Sequence, residues 1–124
     1  MRTLETNDRD ALQLRLEAMK QQVLEELGAS TRSAEAALAE GDREVKTHAD
    51  EAEAERAADV QMAEANVDRA RLDEIEHAIA RLASGRYGIC EDCGGEIPRA
   101  RLLAQPVAVR CTDCQAMMEA RARH

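Results

Sequence analysis

Apolar residues fall at Leu12, Leu16, Met19, Val23 and Leu27, and the row continues through the small residues Ser30 and Ala34 to Leu38. The steps are 4, 3, 4, 4, 3, 4 and 4, which is a helical stripe near the coiled-coil period. Asn7 or Asp8 is placed to cap its start, and Asp10 adds negative charge that suits a helix N-terminus. Gly28 weakens the middle by about 1 kcal/mol relative to alanine, and Gly41 is the natural stop.

A second segment runs from about Asp50 to Ala83, with its clearest stripe at Leu72, Ile75, Ile79 and Leu82. Further back, Ala57, Val60, Ala63 and Val67 make a thinner stripe, displaced slightly from the first. Ser84-Gly85 supplies ordinary helix-ending chemistry. Each helix is expected to span about 33 residues, roughly 50 Å at 1.5 Å per residue. One stripe per helix and a connection of about nine residues predict an antiparallel hairpin. "QAMMEARARH" reads as a short terminal helix whose Met117 and Met118 pack on the cysteine turns rather than serve as ligands.

Composition narrows this further. The apolar fraction is 44%, but 24 of those residues are alanine and only Tyr87 is aromatic, so large apolar side chains are too few for a thick core. No run of about 18 apolar residues exists to span a membrane. "MRTLETNDRD" lacks the apolar stretch of a signal peptide, so a cytoplasmic location is expected, where thiols stay reduced. Net charge is −8; residues 85–124 carry six arginines against five acids, so the acidity lies upstream. Such a chain is repelled by phosphate backbones and has no Phe or Trp for base stacking, which argues against direct DNA or RNA binding. A basic protein groove is the better-matched partner.

All four cysteines lie in "CEDCGGEIPRARLLAQPVAVRCTDC". Cys90-x-x-Cys93, seventeen intervening residues and Cys111-x-x-Cys114 form a metal-site spacing, because two intervening residues let both thiolates of a turn face one ion. Zn²⁺ suits the resulting tetrahedral sulfur cage, and a closed four-thiolate site leaves no position for catalytic water. One structural Zn²⁺ is therefore expected. A redox pair, two disulfides or an iron–sulfur cluster fit the spacing and compartment less well. Gly94 suits the first turn, whereas the second has Gln115 at the equivalent place. Arg99, Arg101 and Arg110 either balance the negative cage or are solvated surface arginines, while His48, His77 and His124 read as surface residues.

The expected architecture is all-α dominated. Residues 1–84 form a long antiparallel helical hairpin (coiled coil) with an acidic tip near 41–53. Residues 85–124 form a small four-cysteine zinc-finger domain and a short C-terminal helix. Residues 40–55 hold seven acids against two bases, and Asp50 with Glu53 three residues on resembles a capping box.

"GRYGICEDCGGEIPRARLLAQPVAVRCTDC" is similar to the DksA/TraR zinc-finger proteins of bacteria. Tyr87-Gly88, Gly94, Ile97, Arg101-Leu102, Ala104, Pro106 and the cysteine spacing carry the resemblance, which is specific over about residues 72–114. The resemblance implies direct binding to RNA polymerase rather than to DNA. It also implies a coiled coil entering the secondary channel, with an acidic tip near the catalytic magnesium that shifts promoter-complex stability. The family's tip motif, Asp-x-x-Asp-x-Ala, aligns with Thr47-His48-Ala49-Asp50-Glu51-Ala52. Asp50 and Ala52 fit, Thr47 stands where the first acid is expected, and Glu51 and Glu53 keep the local charge.

Some members of the family bind the alarmone ppGpp through basic side chains, but the matching positions here are Val67, Glu74, Gln105 and Gln115. The resemblance thus supports polymerase binding better than ppGpp binding. The expected protein is a monomeric regulator, not an enzyme. The alternatives are a transcript-cleavage factor, whose tip carboxylates would hold a second metal, and a zinc-stabilised adaptor that has lost polymerase activity.

Overall fold

The computed structural model describes residues 4–41 and 47–123, excepting the side chains of 34 and 37–41. Four helices follow in order: α1 (Thr6–Gly41), α2 (His48–Ser84), α3 (Arg99–Ala104) and α4 (Thr112–Ala122). Among the described residues the only extended pairing is an isolated antiparallel bridge between Ile89 and Glu96. The chain is an all-α-dominated helical hairpin with a small four-cysteine domain and a short terminal helix, as the periodicity predicts.

Local chemistry sets the helix ends. The Asp8 carboxylate accepts the Glu5 N–H at 3.2 Å, so it acts from the third helical position rather than as the cap itself. α1 runs unbroken through Gly28 and ends at Gly41. At the end of α2, the Arg86 N–H reaches the Arg81 carbonyl at 2.9 Å and the Gly85 N–H reaches that of Leu82 at 3.3 Å. This is a Schellman cap, and Gly85 takes the positive φ of 77° that it requires.

The chain divides into two compact units, one made of Met1–Lys20 with Glu74–His124 and the other of Gln21–Asp73. The first of them runs through the sequence-pattern boundary at Ser84–Gly85. In the first unit Leu12 and Leu16 of α1 and Ile75 and Ala78 of α2 are buried together with Tyr87, Cys90, Ile97 and Leu102. Fully burying a leucine or isoleucine side chain contributes roughly 1.5–3 kcal/mol, so this group is the main apolar store of the unit. Two long-range bonds tie α1 to it. Arg15 donates to the Leu103 carbonyl at 2.5 Å, and Arg99 forks onto Asp8 at 3.0 and 2.9 Å.

The second unit is built differently. Among its described residues only Val23 is fully buried; Leu27, Gly28 and Ser30 of α1 are half-buried. On α2 the half-buried positions are Gln61, Ala65, Asp68 and Leu72, in steps of 4, 3 and 4. The expected row of Ala57, Val60, Ala63 and Val67 is therefore corrected: all four are exposed. The physical reason is register. Stepping back from Leu72 at the hairpin spacing lands on small and polar side chains, and the valines fall on a flank. Arg71 bridges Glu26 of α1 at 3.6 Å and Asp68 at 3.5 Å, and exposed pairs of this kind add less than about 1 kcal/mol. Ala34 and Leu38, the last members of the α1 stripe, lie outside the described side chains.

A seam with one buried valine should open locally far more often than a leucine- and isoleucine-filled one. Native-state hydrogen exchange is expected to show lower protection for amides in Gln21–Asp73 than around Leu12, Leu16 and Ile75. Equal protection in the two groups would overturn this account of the seam.

Candidate metal centre and acidic helix start

The first cysteine pair sits on a tight turn held by backbone bonds. The Cys90 N–H donates to the Gly95 carbonyl at 2.8 Å, and the Gly94 N–H returns to the Cys90 carbonyl at 3.0 Å. Gly94 has φ 73°, a conformation that side-chain-bearing residues rarely adopt, which is why glycine follows this pair. The second pair has a different support. Cys111 is the N-cap of α4 and Cys114 lies in its first turn, three residues on and on the same face. The chain continues as helix, with the Gln115 N–H bonded to the Cys111 carbonyl at 2.9 Å, so no glycine is needed there.

The four Sγ atoms of Cys90, Cys93, Cys111 and Cys114 all lie within 4.8 Å of one another, with Cys93 and Cys111 at 3.9 Å. Four sulfurs around Zn²⁺ at about 2.3 Å would stand about 3.8 Å apart, so the cluster fits one tetrahedral ion. Cys90 is buried, Cys111 and Cys114 are half-buried and Cys93 is exposed. Burial would raise the Cys90 thiol, but the backbone N–H groups of Cys93, Cys111 and Asp92 and the Cys93 thiol outweigh it and bring the pKa down to about 6. The Gly95 N–H favours a Cys93 thiolate, yet sharing with Cys90 pushes that thiol up overall. Cys114 is pushed up chiefly by its hydrogen bond with Cys111, then by Cys90 and burial. Thiolates this close oppose each other's ionisation, and a dication resolves the conflict. All four coordination positions would be filled by sulfur, so the ion would stabilise the fold rather than activate water.

Around the cluster lies a network that residue spacing alone does not reveal. Glu91, between the first two cysteines, meets His77 Nε2 at 2.5 Å, Arg81 at 3.3 Å and Arg110 at 3.7 Å. Arg81 also donates to the carbonyls of Arg86 and Ile89. These contacts fasten the last turns of α2 to the first cysteine turn. His77 is surface-exposed as expected, but it has a definite partner.

The arginines proposed to balance the cage serve other groups: Arg99 pairs with Asp8, Arg101 donates to the Arg110 carbonyl, and Arg110 binds Asp92 at 2.9 Å. Met117 and Met118 border a cavity with Cys114, but they are 55% and 37% exposed, so they do not bury against the cysteines as expected. His48 is exposed, and His124 lies outside the described residues.

The acidic helix start also differs from expectation in one respect. Thr47, not Asp50, is the N-cap of α2. The Thr47 hydroxyl oxygen accepts the Asp50 N–H at 3.1 Å, and the Asp50 carboxylate accepts the Thr47 N–H at 3.3 Å. This is a reciprocal capping box with aspartate in the glutamate position. Glu51 lies 3.8 Å from His48, Ala52 is half-buried and Glu53 is exposed. Residues 42–46, part of the expected acidic tip, lie outside the described residues.

Comparison with known proteins identifies the class. Residues 85–121 match the prokaryotic dksA/traR C4-type zinc finger, in agreement with four cysteines clustered to bind one metal ion. The chain is similar to an RNA polymerase-binding transcription factor DksA of Escherichia coli strain K12, 40% identical over 58 residues, covering 45% of this chain and 38% of that protein. A general stress protein 16O of Bacillus subtilis is 42% identical over 53 residues, covering 43% of this chain and 32% of that protein. These matches span about a third of the curated relatives' length.

The similarity in structure is broader. The transcription factor DksA2 of Pseudomonas aeruginosa matches with TM-score 0.80 and 27% identity, over 97% of this chain and 89% of that one. A Chlamydia trachomatis Dks protein shares the fold at TM-score 0.60 and 21% identity, over 97% of this chain and 96% of that one. The resemblance to the DksA/TraR family read from the sequence is thus shown, and the chain is DksA-like in fold as well as in its zinc finger.

Two measurements test the centre. Cys93→Ser should reduce zinc from one ion per chain to a small fraction and loosen residues 85–121; unchanged zinc content would remove Cys93 from the site. The second concerns Tyr87, which is buried and donates to the Pro106 carbonyl at 2.7 Å. Burial pushes its phenol from 10.0 up to about 12, partly offset by the nearby Arg15 charge. A raised folded-state pKa gives stability that is complete below pH 10 and lost as pH rises toward 12, at up to about 1.4 kcal/mol per pH unit. Chemical denaturation at a series of pH values should show this loss in the wild type, and Tyr87→Phe should remove the component.

Proposed function

We propose that this chain is a transcription regulator that binds bacterial RNA polymerase directly, with residues 1–84 as a hairpin presenting an acidic tip near 41–53. In this reading the tip enters the polymerase secondary channel and alters promoter-complex stability, while residues 85–124 are the zinc-held support. The observation that carries the reading is the similarity to DksA2, because it takes in 97% of this chain, hairpin residues as well as finger.

Charge supports it. Gln21–Asp73 holds fourteen acids against six bases, and the remaining residues are balanced at eleven of each, so the whole net charge of −8 belongs to this stretch. Attraction to a basic protein groove would speed association and make it salt-sensitive. The regulator would act in the cytoplasm as a monomer, without reading DNA sequence.

The chain would perform no chemistry of its own. Asp50 would act electrostatically, with Ala52 leaving room beside it and Glu51 and Glu53 sustaining the negative field. At the position of a second carboxylate Thr47 offers a hydroxyl engaged in the helix cap, which suits an electrostatic role better than holding a second metal for transcript cleavage.

Co-regulation by ppGpp is not part of the reading. Glu74, Gln105 and Gln115 line one cavity of about 480 Å³ whose arginines, Arg101 and Arg110, are bonded to the Arg110 carbonyl and to Asp92. No lysine lines it.

In vitro transcription with purified polymerase tests the proposal. Asp50→Asn should keep affinity within about fivefold, since an exposed charge is worth up to about 1 kcal/mol, yet lose the effect on promoter-complex lifetime. Thr47→Asp should keep the helix cap, because aspartate caps at least as well as threonine, and should strengthen the effect. ppGpp should change neither outcome. An undiminished effect from Asp50→Asn would overturn the role given to this residue.

A further inference from the structure

The valines that miss the seam form a surface of their own. Val60 and Val67 are 57% and 60% exposed and stand two helical turns apart on one face of α2, with Ala63 beside them. The row borders a groove within the Gln21–Asp73 unit, lined by Ala63 and Val67 of α2 and by Ala29, Ser30 and Ser33 of α1. Small side chains on α1 leave the groove open, with a volume of about 630 Å³. Glu26, Glu64 and Asp68 line it as well, and Arg71 is the cation paired with two of them. The result is an apolar floor with an acidic border.

We infer that this groove and the Val60–Val67 row form a docking face for a basic amphipathic helix of a protein partner. The inference rests on the proposed function for the identity of that protein, the polymerase, and on this unit alone for the face itself. Charge decides the occupant. The unit carries −8, so a second copy of the chain would meet its own sign, whereas lysine or arginine would meet the acidic border. The stems of lysine and arginine can lie along valine and alanine while their charged ends reach carboxylates. Leucine-sized side chains from the same partner helix would enter between Ala29, Ser33 and Val67. This contact would supply affinity along the hairpin, separately from the effect assigned to Asp50.

The test uses the full zinc-loaded chain and a synthetic helical peptide of leucine and lysine at heptad spacing, titrated by NMR. Shift changes should concentrate at Ala29, Ser33, Val60, Ala63 and Val67, and Val60→Ser with Val67→Ser should weaken binding about tenfold. Both valines are exposed, so circular dichroism should show the doubly substituted chain folded as before. Shifts spread evenly over all acidic positions, unchanged peptide affinity, or a concentration-dependent dimer lost on the double substitution would each overturn the docking face.

A second arm uses purified polymerase. There the double substitution should weaken binding about tenfold while leaving the effect at saturation, the reverse of Asp50→Asn. Wild-type chain that binds the peptide at this face but not polymerase would retain the docking face and reject the proposed function.

Discussion

Four sulfurs that must meet at one point govern the first compact unit. Their convergence needs two different local structures, a glycine-dependent turn at Cys90–Cys93 and a helix start at Cys111–Cys114. The segments around them depend on it in turn. Tyr87 reaches Pro106 across nineteen residues, and Glu91 gathers side chains from α2 and from the approach to α4. A chain with one aromatic residue has few other ways to gather an interior, and metal binding adds folding free energy where apolar area is scarce. Apart from Val23, the large aliphatic side chains that are fully buried, Leu12, Leu16, Ile75, Ile97 and Leu102, lie in this unit.

The second unit shows the opposite allocation. Beyond Val23, Leu27 and Leu72 its seam is filled by alanine, serine, glutamine and aspartate, while Val60, Met62 and Val67 are exposed, and the unit holds all of the net charge. Alanine-rich helices satisfy their backbones internally and need little lateral burial to persist as helices, but their pairing is correspondingly weak. Crowded carboxylates weaken it further by self-repulsion. Those properties are costly for a free-standing hairpin and useful for one that completes its contacts on a partner. Burial and charge therefore give the two units different work: one retains structure, the other offers surface.

The strongest periodicities and the cysteine spacing made the fold and the metal centre legible in the sequence. Leu12 to Val23 and Leu72 to Leu82 leave only one buried face each, and two short cysteine spacers leave few alternatives to a metal site. The Val60 row misled because a 3-3-4 spacing of alanine and valine also describes a flank; apolar identity counted for less than continuity with Leu72. Glu91 was not legible because its partners, His77, Arg81 and Arg110, are brought together only by the fold. The partners of the finger's arginines were not legible for a related reason. Charge near a thiolate cage suggests compensation, whereas neighbouring carboxylates and carbonyls made better-directed partners for guanidinium groups.

The capping box sharpens what Thr47 means. Read as a motif, threonine in place of aspartate is a loss of one of two key acids. Read as a helix start, the position needs an oxygen acceptor with the right reach, which threonine and aspartate both provide. The substitution therefore separates two properties that aspartate joins: the cap is kept and the charge is given up. Asp50 lies on the other side of the same pair of hydrogen bonds, with its carboxylate drawn toward the Thr47 N–H. Its negative charge is thus presented from a defined helix start rather than from an unstructured acidic stretch. A regulator acting through an electric field needs placement of charge more than abundance of it, because the field at a nearby ion changes steeply with distance. One well-held carboxylate at Asp50 is then a sufficient physical basis for the proposed activity, and the acids around it set its background.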